Sequence, residues 1–300
     1  MIADFVAFDP RFRALTPDRG HVRVLHNMGS FTEGPVWFGD LQCFVWSDIM
    51  ANRLMRWTPD GVTSMFRDGS RHANGNTRDR EGRLVTCEHS GRRVTRTEHD
   101  GTITVIADSF EGRALNSPND VVVKSDGSVW FTDPEYGIRI NIPGGTREQA
   151  NENVYRVDPA TGAVTAVVTD FDKPNGLAFS PDETVLYVAD SAVTDGPERN
   201  SHIRRFRVRD DGTLEGGEVF AVTVGIPDGM RVDTSGNLWA SAGKKIDVYA
   251  PDGALLGQVL DFPADVTNLT FGGPGNDLIF VTGGAFVWAV KVNARGAQRP

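Results

Sequence analysis

Cysteine is almost missing from this chain: among 300 residues there are only Cys43 and Cys87. Each lies in an apolar, strand-like segment, "LQCFVWSD" and "RLVTCEHS", which predicts two buried thiols rather than a disulfide. No run of 18 apolar residues occurs, so no membrane-spanning helix is expected. The opening "MIADFVAFDPRFRALTPDRG" lacks the basic start and apolar stretch of a secretory leader, and the expected compartment is the cytoplasm. Positive charge is in short supply, with 31 Lys and Arg against 40 Asp and Glu. The resulting net charge of −9 argues against nucleic acid or an anionic membrane as partner. Helical periodicity is weak throughout, which leaves strands and turns to build the fold.

Turn formers are plentiful, with 33 Gly and 16 Pro, and they punctuate a repeat. Apolar phrases ending in a small or acidic residue recur as "CFVWSD", "SVWFTD", "VLYVAD", "NLWASA" and "LIFVTG". Shorter stretches precede the recurring units: "TEGPVWF", "GNTRDRE", "SPNDVVV", "KPNGLAF", "IPDGMRV" and "VTNLTFG". Later in most units comes a hairpin signal such as "TPDGV", "EHDGT", "PATGA", "RDDGT" or "APDGA". Unit starts fall 40 to 56 residues apart, and each unit reads as four strands. That is the signature of a propeller blade, so the chain is predicted to be all-β, a six-bladed β-propeller forming one domain over residues 1–300. Residues 1–20 read as an N-terminal extension. The last unit is too short to supply its outer strand, and "HVRVLHN", His21 to Asn27, is predicted to pair with it and close the ring.

Blade topology gathers the residues that open the innermost strands at one mouth of the central channel. In order these are Glu33, Asn76, Asn119, Asn175, Asp228 and Asn268, every one a carboxylate or an amide. Two carboxylates at close quarters repel unless one is protonated or a cation lies between them. Side-chain oxygens of this kind suit calcium, magnesium or manganese, and without His or Cys the ring is not a typical zinc site. A hydrated polar channel is the alternative reading of the same pattern. His89 and Tyr136, the latter starting the long loop "DPEYGIRINIPGGTREQANEN", are expected near the same mouth as substrate contacts, with the loop as a possible lid. Asn76 and Asn268 are expected to bond sugar hydroxyls or water, and Asp120 to support its ligand neighbour from behind. Asp48, Asp133 and Asp190 end equivalent second strands, a repetition that points to loop capping. Trp46, Trp130 and Trp239 occupy equivalent strand positions and are expected to pack between blades.

The ordered motifs "FTEGPVW", "NSPNDVVV", "KPNGLAFSPD", "IPDGMRVD" and "TNLTFGG", from about Phe31 to Gly273, resemble the senescence marker protein (regucalcin)–gluconolactonase family of six-bladed propellers. "NSPND" and "WFTDPEYGI" are most similar to its bacterial gluconolactonase branch. The resemblance implies one divalent metal ion, calcium first and magnesium, manganese or zinc as alternatives, held by Glu33, Asn119, Asn175 and Asp228. It further implies a small-molecule sugar lactone as substrate and Asp228 as general base, with a metal-bound hydroxide as the other candidate base. Animal members carry an Arg two residues before the first Asn ligand; Ser117 stands there in this chain, so sugar contacts made by that Arg do not transfer. Two further readings share the pattern: a phosphotriesterase-like hydrolase similar to diisopropyl fluorophosphatase, and a non-catalytic metal-binding propeller.

Overall fold

A computed structural model describes residues 2–298, and it is a six-bladed β-propeller. The innermost strands, in blade order, are Thr32–Phe38, Ala73–Arg78, Val121–Val123, Pro174–Phe179, Met230–Val232 and Asn268–Gly272. Each begins an antiparallel sheet whose strands follow in chain order outward, except that N-terminal strands form the outer edges of blades five and six. Second strands such as Cys43–Asp48 and Val129–Asp133 are buried at every position because neighbouring blades cover both faces. That is why they read as unbroken apolar runs. Outer strands such as Ile103–Ala107 are mostly exposed.

Trp46, Trp130 and Trp239 are fully buried between blades, joined by Trp288. Cys43 and Cys87 are buried free thiols. The ring closes as the sequence predicts: Gly20–His26 pairs antiparallel with Phe286–Lys291, placing Val22 opposite Val290 and Val24 opposite Trp288. At the same seam Phe44 of blade one stacks on Phe280 of blade six, with ring centroids 4.6 Å apart.

The capping aspartates hold the loops that lead into the innermost strands. Asp48 accepts from the Ser30 and Phe31 amides (2.7 and 3.3 Å), Asp133 from the Asn116 amide (2.7 Å), and Asp190 from the Lys173 amide (3.1 Å). Each bond lies two to three residues before a residue that faces the channel, so the second strand fixes where that residue points. Among the described residues no helix is long and apolar enough to cross a membrane.

Both chain ends are woven into the ring. Phe5–Ala7 adds a fifth strand to blade five, and Ile2–Ala3 a fifth to blade six. The turn of helix Phe12–Leu15 between them buries Phe12 between blades five and six, against Gly257, where a Cβ would meet the ring at 2.5 Å. Residues 293–298 cross the far end of the channel. Ala297 donates to the Val232 carbonyl of blade five (2.9 Å), and Gln298 Nε2 to Thr77 Oγ1 of blade two (2.7 Å). The N-terminal extension is therefore a clasp over two blades rather than an appendage. Phe12→Ala is expected to cost about 3–5 kcal/mol in urea unfolding. A loss below about 1 kcal/mol would show that the clasp adds nothing to the ring.

Candidate active site

A cavity of about 600 Å³ opens at the mouth where all six leading loops and all six second-to-third-strand loops emerge. Glu33, Asn119, Asn175 and Asp228 meet at its floor, with Asn74 beside them. Four of the six innermost strands place a glycine directly after the floor residue. A Cβ at Gly34 would lie 1.9 Å from the Asn74 carbonyl oxygen, at Gly75 2.5 Å from that of Asn119, at Gly176 2.1 Å from that of Asp228, and at Gly229 1.9 Å from Asn268 Cγ. Strands this close admit no side chain on that layer, so only glycine fits. Blades three and six carry Asp120 and Asn268 at the equivalent step, and these two fill the space the glycines leave. Asn268 Nδ2 donates to Glu33 Oε2 (3.1 Å) and to Asp120 Oδ2 (3.4 Å).

This layering corrects the expected ring in two places. The floor residue of blade two is Asn74, not Asn76. Asn76 is one alternation deeper and donates to the Gly34 carbonyl (2.9 Å), Ser47 Oγ (2.8 Å) and the Asn74 carbonyl (3.0 Å). Its Oδ1 accepts from Thr86 (2.9 Å), so no polar atom is left for a substrate. Asn268 lies below the ring rather than in the cavity wall. In blade two the cause is an irregular step in strand pairing between Ala73 and Asn76, matched between Glu33 and Val36 and between Pro174 and Leu177. The signal in the sequence was the Asn-Gly pair of "HANGN", parallel to Glu-Gly, Asn-Gly and Asp-Gly in blades one, four and five.

His89 and Tyr136 line the cavity. His89 is buried with both nitrogens engaged: Nδ1 meets Asn141 Oδ1 (3.0 Å) and Nε2 meets Asn74 Nδ2 (3.1 Å). Nδ1 thus carries the proton, and Nε2 accepts from Asn74. Burial lowers the His89 pKa to about 4, so the ring is neutral and orients Asn74 instead of shuttling protons. The "DPEYG" loop opens with a short helix, Tyr136–Asn141, which brings Tyr136, Ile140 and Asn141 to the mouth. Tyr136 is fixed there by Thr194 Oγ1 at 3.1 Å and by Lys173 Nζ 5.1 Å from its ring centre.

Charge is concentrated under the floor. Burial, and the Asp120 carboxylate beside it, raise Glu33 to about 8. Burial again, with Glu33 and Asp120 nearby, raises Asp228 well above the usual carboxylate range. Asp120 is raised by burial and drawn back by Arg231, whose Nη1 lies 3.8 Å from Asp120 Oδ2 and whose strand reaches toward the opposite end of the channel. Fully ionised, these three carboxylates and one guanidinium carry a net charge of −2. The Oδ1 atoms of Asn74 and Asn175 are buried with no hydrogen-bond partner among the described residues. Two orphaned amide oxygens beside carboxylates that resist ionisation form a hard, oxygen-only donor set that fits a divalent cation.

Residues 31–285 match the family described as SMP-30/Gluconolactonase/LRE-like region, and the chain belongs to that family. It is 31% identical to a gluconolactonase of Zymomonas mobilis, with 98% of this chain and 88% of that protein aligned. It is also 31% identical to a pentonolactonase of Haloferax volcanii, over 87% of this chain and 84% of that one. Among solved structures, a gluconolactonase of Xanthomonas campestris superposes with a TM-score of 0.88 at 35% identity, covering 97% of this chain and 95% of that chain.

The carboxylate shifts predict how the metal-free protein responds to pH. Folded Glu33 keeps its proton up to about 8, whereas the unfolded chain releases it near 4.5. Between those values the folded state binds more protons, so this group stabilises the fold at the lower end and its contribution is lost as pH rises through about 8. Chelator-treated protein should lose stability from pH 5 to 8.5, by up to about 1.4 kcal/mol per pH unit per proton. Glu33→Gln should flatten that decline in urea titrations at several pH values; an unchanged decline would remove Glu33 from the charged cluster.

Proposed function

We propose that this protein is a divalent-cation-dependent lactonase that opens the ring ester of aldonolactones. The observation that carries this reading is the convergence of Glu33, Asn119, Asn175 and Asp228 on one cavity floor, with an unpartnered Asn175 Oδ1 among them. These four residues would hold a single divalent cation of the calcium, magnesium or manganese kind, which when bound would supply Lewis-acid polarisation of the lactone carbonyl and stabilisation of the developing oxyanion. The gluconolactonase and pentonolactonase relatives support a cyclic sugar ester as the substrate.

Asp228 is the general base. It receives a proton from the attacking water and returns it to the ring oxygen as the ester C–O bond breaks. Its basicity is set by opposing effects: ligation of a cation lowers it, whereas burial beside Glu33 and Asp120 raises it. The Ser241 hydroxyl, which accepts from the Asp228 amide at 2.8 Å, fixes the backbone that carries this carboxylate. His89, held neutral, keeps Asn74 turned toward the floor.

A pH-indicator assay over a panel of sugar lactones, each with calcium, magnesium, manganese or zinc, tests the proposal. Turnover should vanish on chelation and return with added metal. Asp228→Asn should remain folded, since it retains an oxygen at the same place, yet lose about 10²–10⁴-fold in rate. Near-wild-type activity in that variant would take Asp228 out of the reaction, and hydrolysis of a fluorophosphate in preference to every lactone would reassign the substrate class.

A further inference from the structure

The walls of the cavity differ in chemistry from its floor. Above the polar ring stand Phe31, Ile49, Met50, Ile140, Ile226 and Val266. Three of them are open to solvent at the rim although their chemistry favours burial: Phe31 is 42% exposed, Met50 52% and Ile140 61%. They come from three separate segments: the loop leading into blade one, the loop between its second and third strands, and the short helix of blade three. Chance exposure of single apolar residues is ordinary, but three converging on one concave mouth mark a surface that an apolar group covers.

Most polar side chains at wall height are already occupied, the exposed Asp265 carboxylate excepted. Both His89 nitrogens are engaged, and Asn141 Oδ1 is one of their partners. Asn141 Nδ2 points at the weakly accepting Met50 sulfur, 3.6 Å away. The Tyr136 hydroxyl meets Thr194 Oγ1, which itself donates to the Ser191 carbonyl at 2.8 Å. Thr267 Oγ1 donates to the Thr32 carbonyl at 2.9 Å. A ligand hydroxyl desolvated against this surface finds few free partners, which costs affinity, whereas a methylene there gains by leaving water.

We propose that the site also hydrolyses lactones whose ring carries an alkyl or aryl substituent on the carbon bearing the ring oxygen, with that substituent lying against Phe31, Met50 and Ile140. This rests on the lactonase reading and specifies what the site selects beyond the reacting ester. The chemistry is unchanged: one water adds across the ring ester, the acyl C–O bond breaks, the proton of the water passes to the ring oxygen, and a hydroxy acid leaves. No other reactant is consumed. Apolar contact made equally by bound substrate and transition state lowers KM and raises kcat/KM while leaving kcat little changed.

The experiment is a homologous series, δ-valerolactone, δ-hexalactone, δ-octalactone and δ-decalactone, run beside glucono-δ-lactone on the metal-loaded protein. The value of kcat/KM should climb by about threefold to fourfold per methylene buried, mainly through KM, until the chain passes the rim. The double variant Met50→Gln, Ile140→Gln should flatten that climb to less than about twofold per methylene; both positions are exposed, so the fold survives the change. A flat or falling series with glucono-δ-lactone still opened would overturn this inference and leave the lactonase reading standing. An unchanged climb in the double variant would overturn the assignment of these walls. If no lactone of either kind is opened under any metal, the lactonase reading fails and this inference falls with it.

Discussion

Six strands cannot meet around one axis at ordinary spacing if each carries a side chain there. Gly34, Gly75, Gly176 and Gly229 relieve that crowding, and nearly everything else about the site follows from it. In blades one, two and four an irregular pairing step holds the residue before the glycine at the lip of the channel. The two positions without glycine supply Asp120 and Asn268, which together plug the layer beneath. Acidic and amide oxygens are thus packed more tightly than their own electrostatics would choose. Hydrophobic burial between blades, around Trp46, Trp130, Trp239 and Trp288, is the favourable term that holds them there.

That arrangement places three carboxylates out of water within one small volume. Arg231 offsets one of them from the opposite end of the channel, and the remaining deficit matches a doubly charged ion. The same burial that raises Glu33 and Asp228 keeps them receptive to a cation and keeps competing water away. Function and local instability therefore share one origin. The cost is borne by a closed ring whose N-terminal segment clasps blades five and six and whose residues 293–298 cross the far mouth. The cavity wall sets Phe31, Met50 and Ile140 against the amides and carboxylates of the floor, so under the proposed reading the ester and its substituent would meet separate groups.

Much of this was legible in the linear order of residues. Strand phrases repeat because each blade is built to one plan, and their continuous apolar runs report burial on two faces. The aspartates ending second strands recur because each must cap the same kind of loop, and the bonds of Asp48, Asp133 and Asp190 follow that expectation. Asn74 escaped notice because strand periodicity alone picks Asn76 in "ANGNTR"; the irregular step at Gly75 shifts the count, and only the Asn-Gly pairing records it. Arg231, next to a methionine in an unremarkable strand, gave no sign that it would reach Asp120. The N-terminal clasp and the tail across the channel had no repeat to announce them.

Blade number, the closing strand and the chemical character of the floor were thus fixed by pattern, since each depends on neighbours within a few dozen residues. The partner of each polar atom, the raised carboxylates, the locked His89 and the apolar mouth came from the folded ring, where residues more than 200 positions apart, such as Glu33 and Asn268, share a hydrogen bond. Local pattern dictates which face a residue presents; distance and desolvation, which set its chemistry, exist only after the circle has closed.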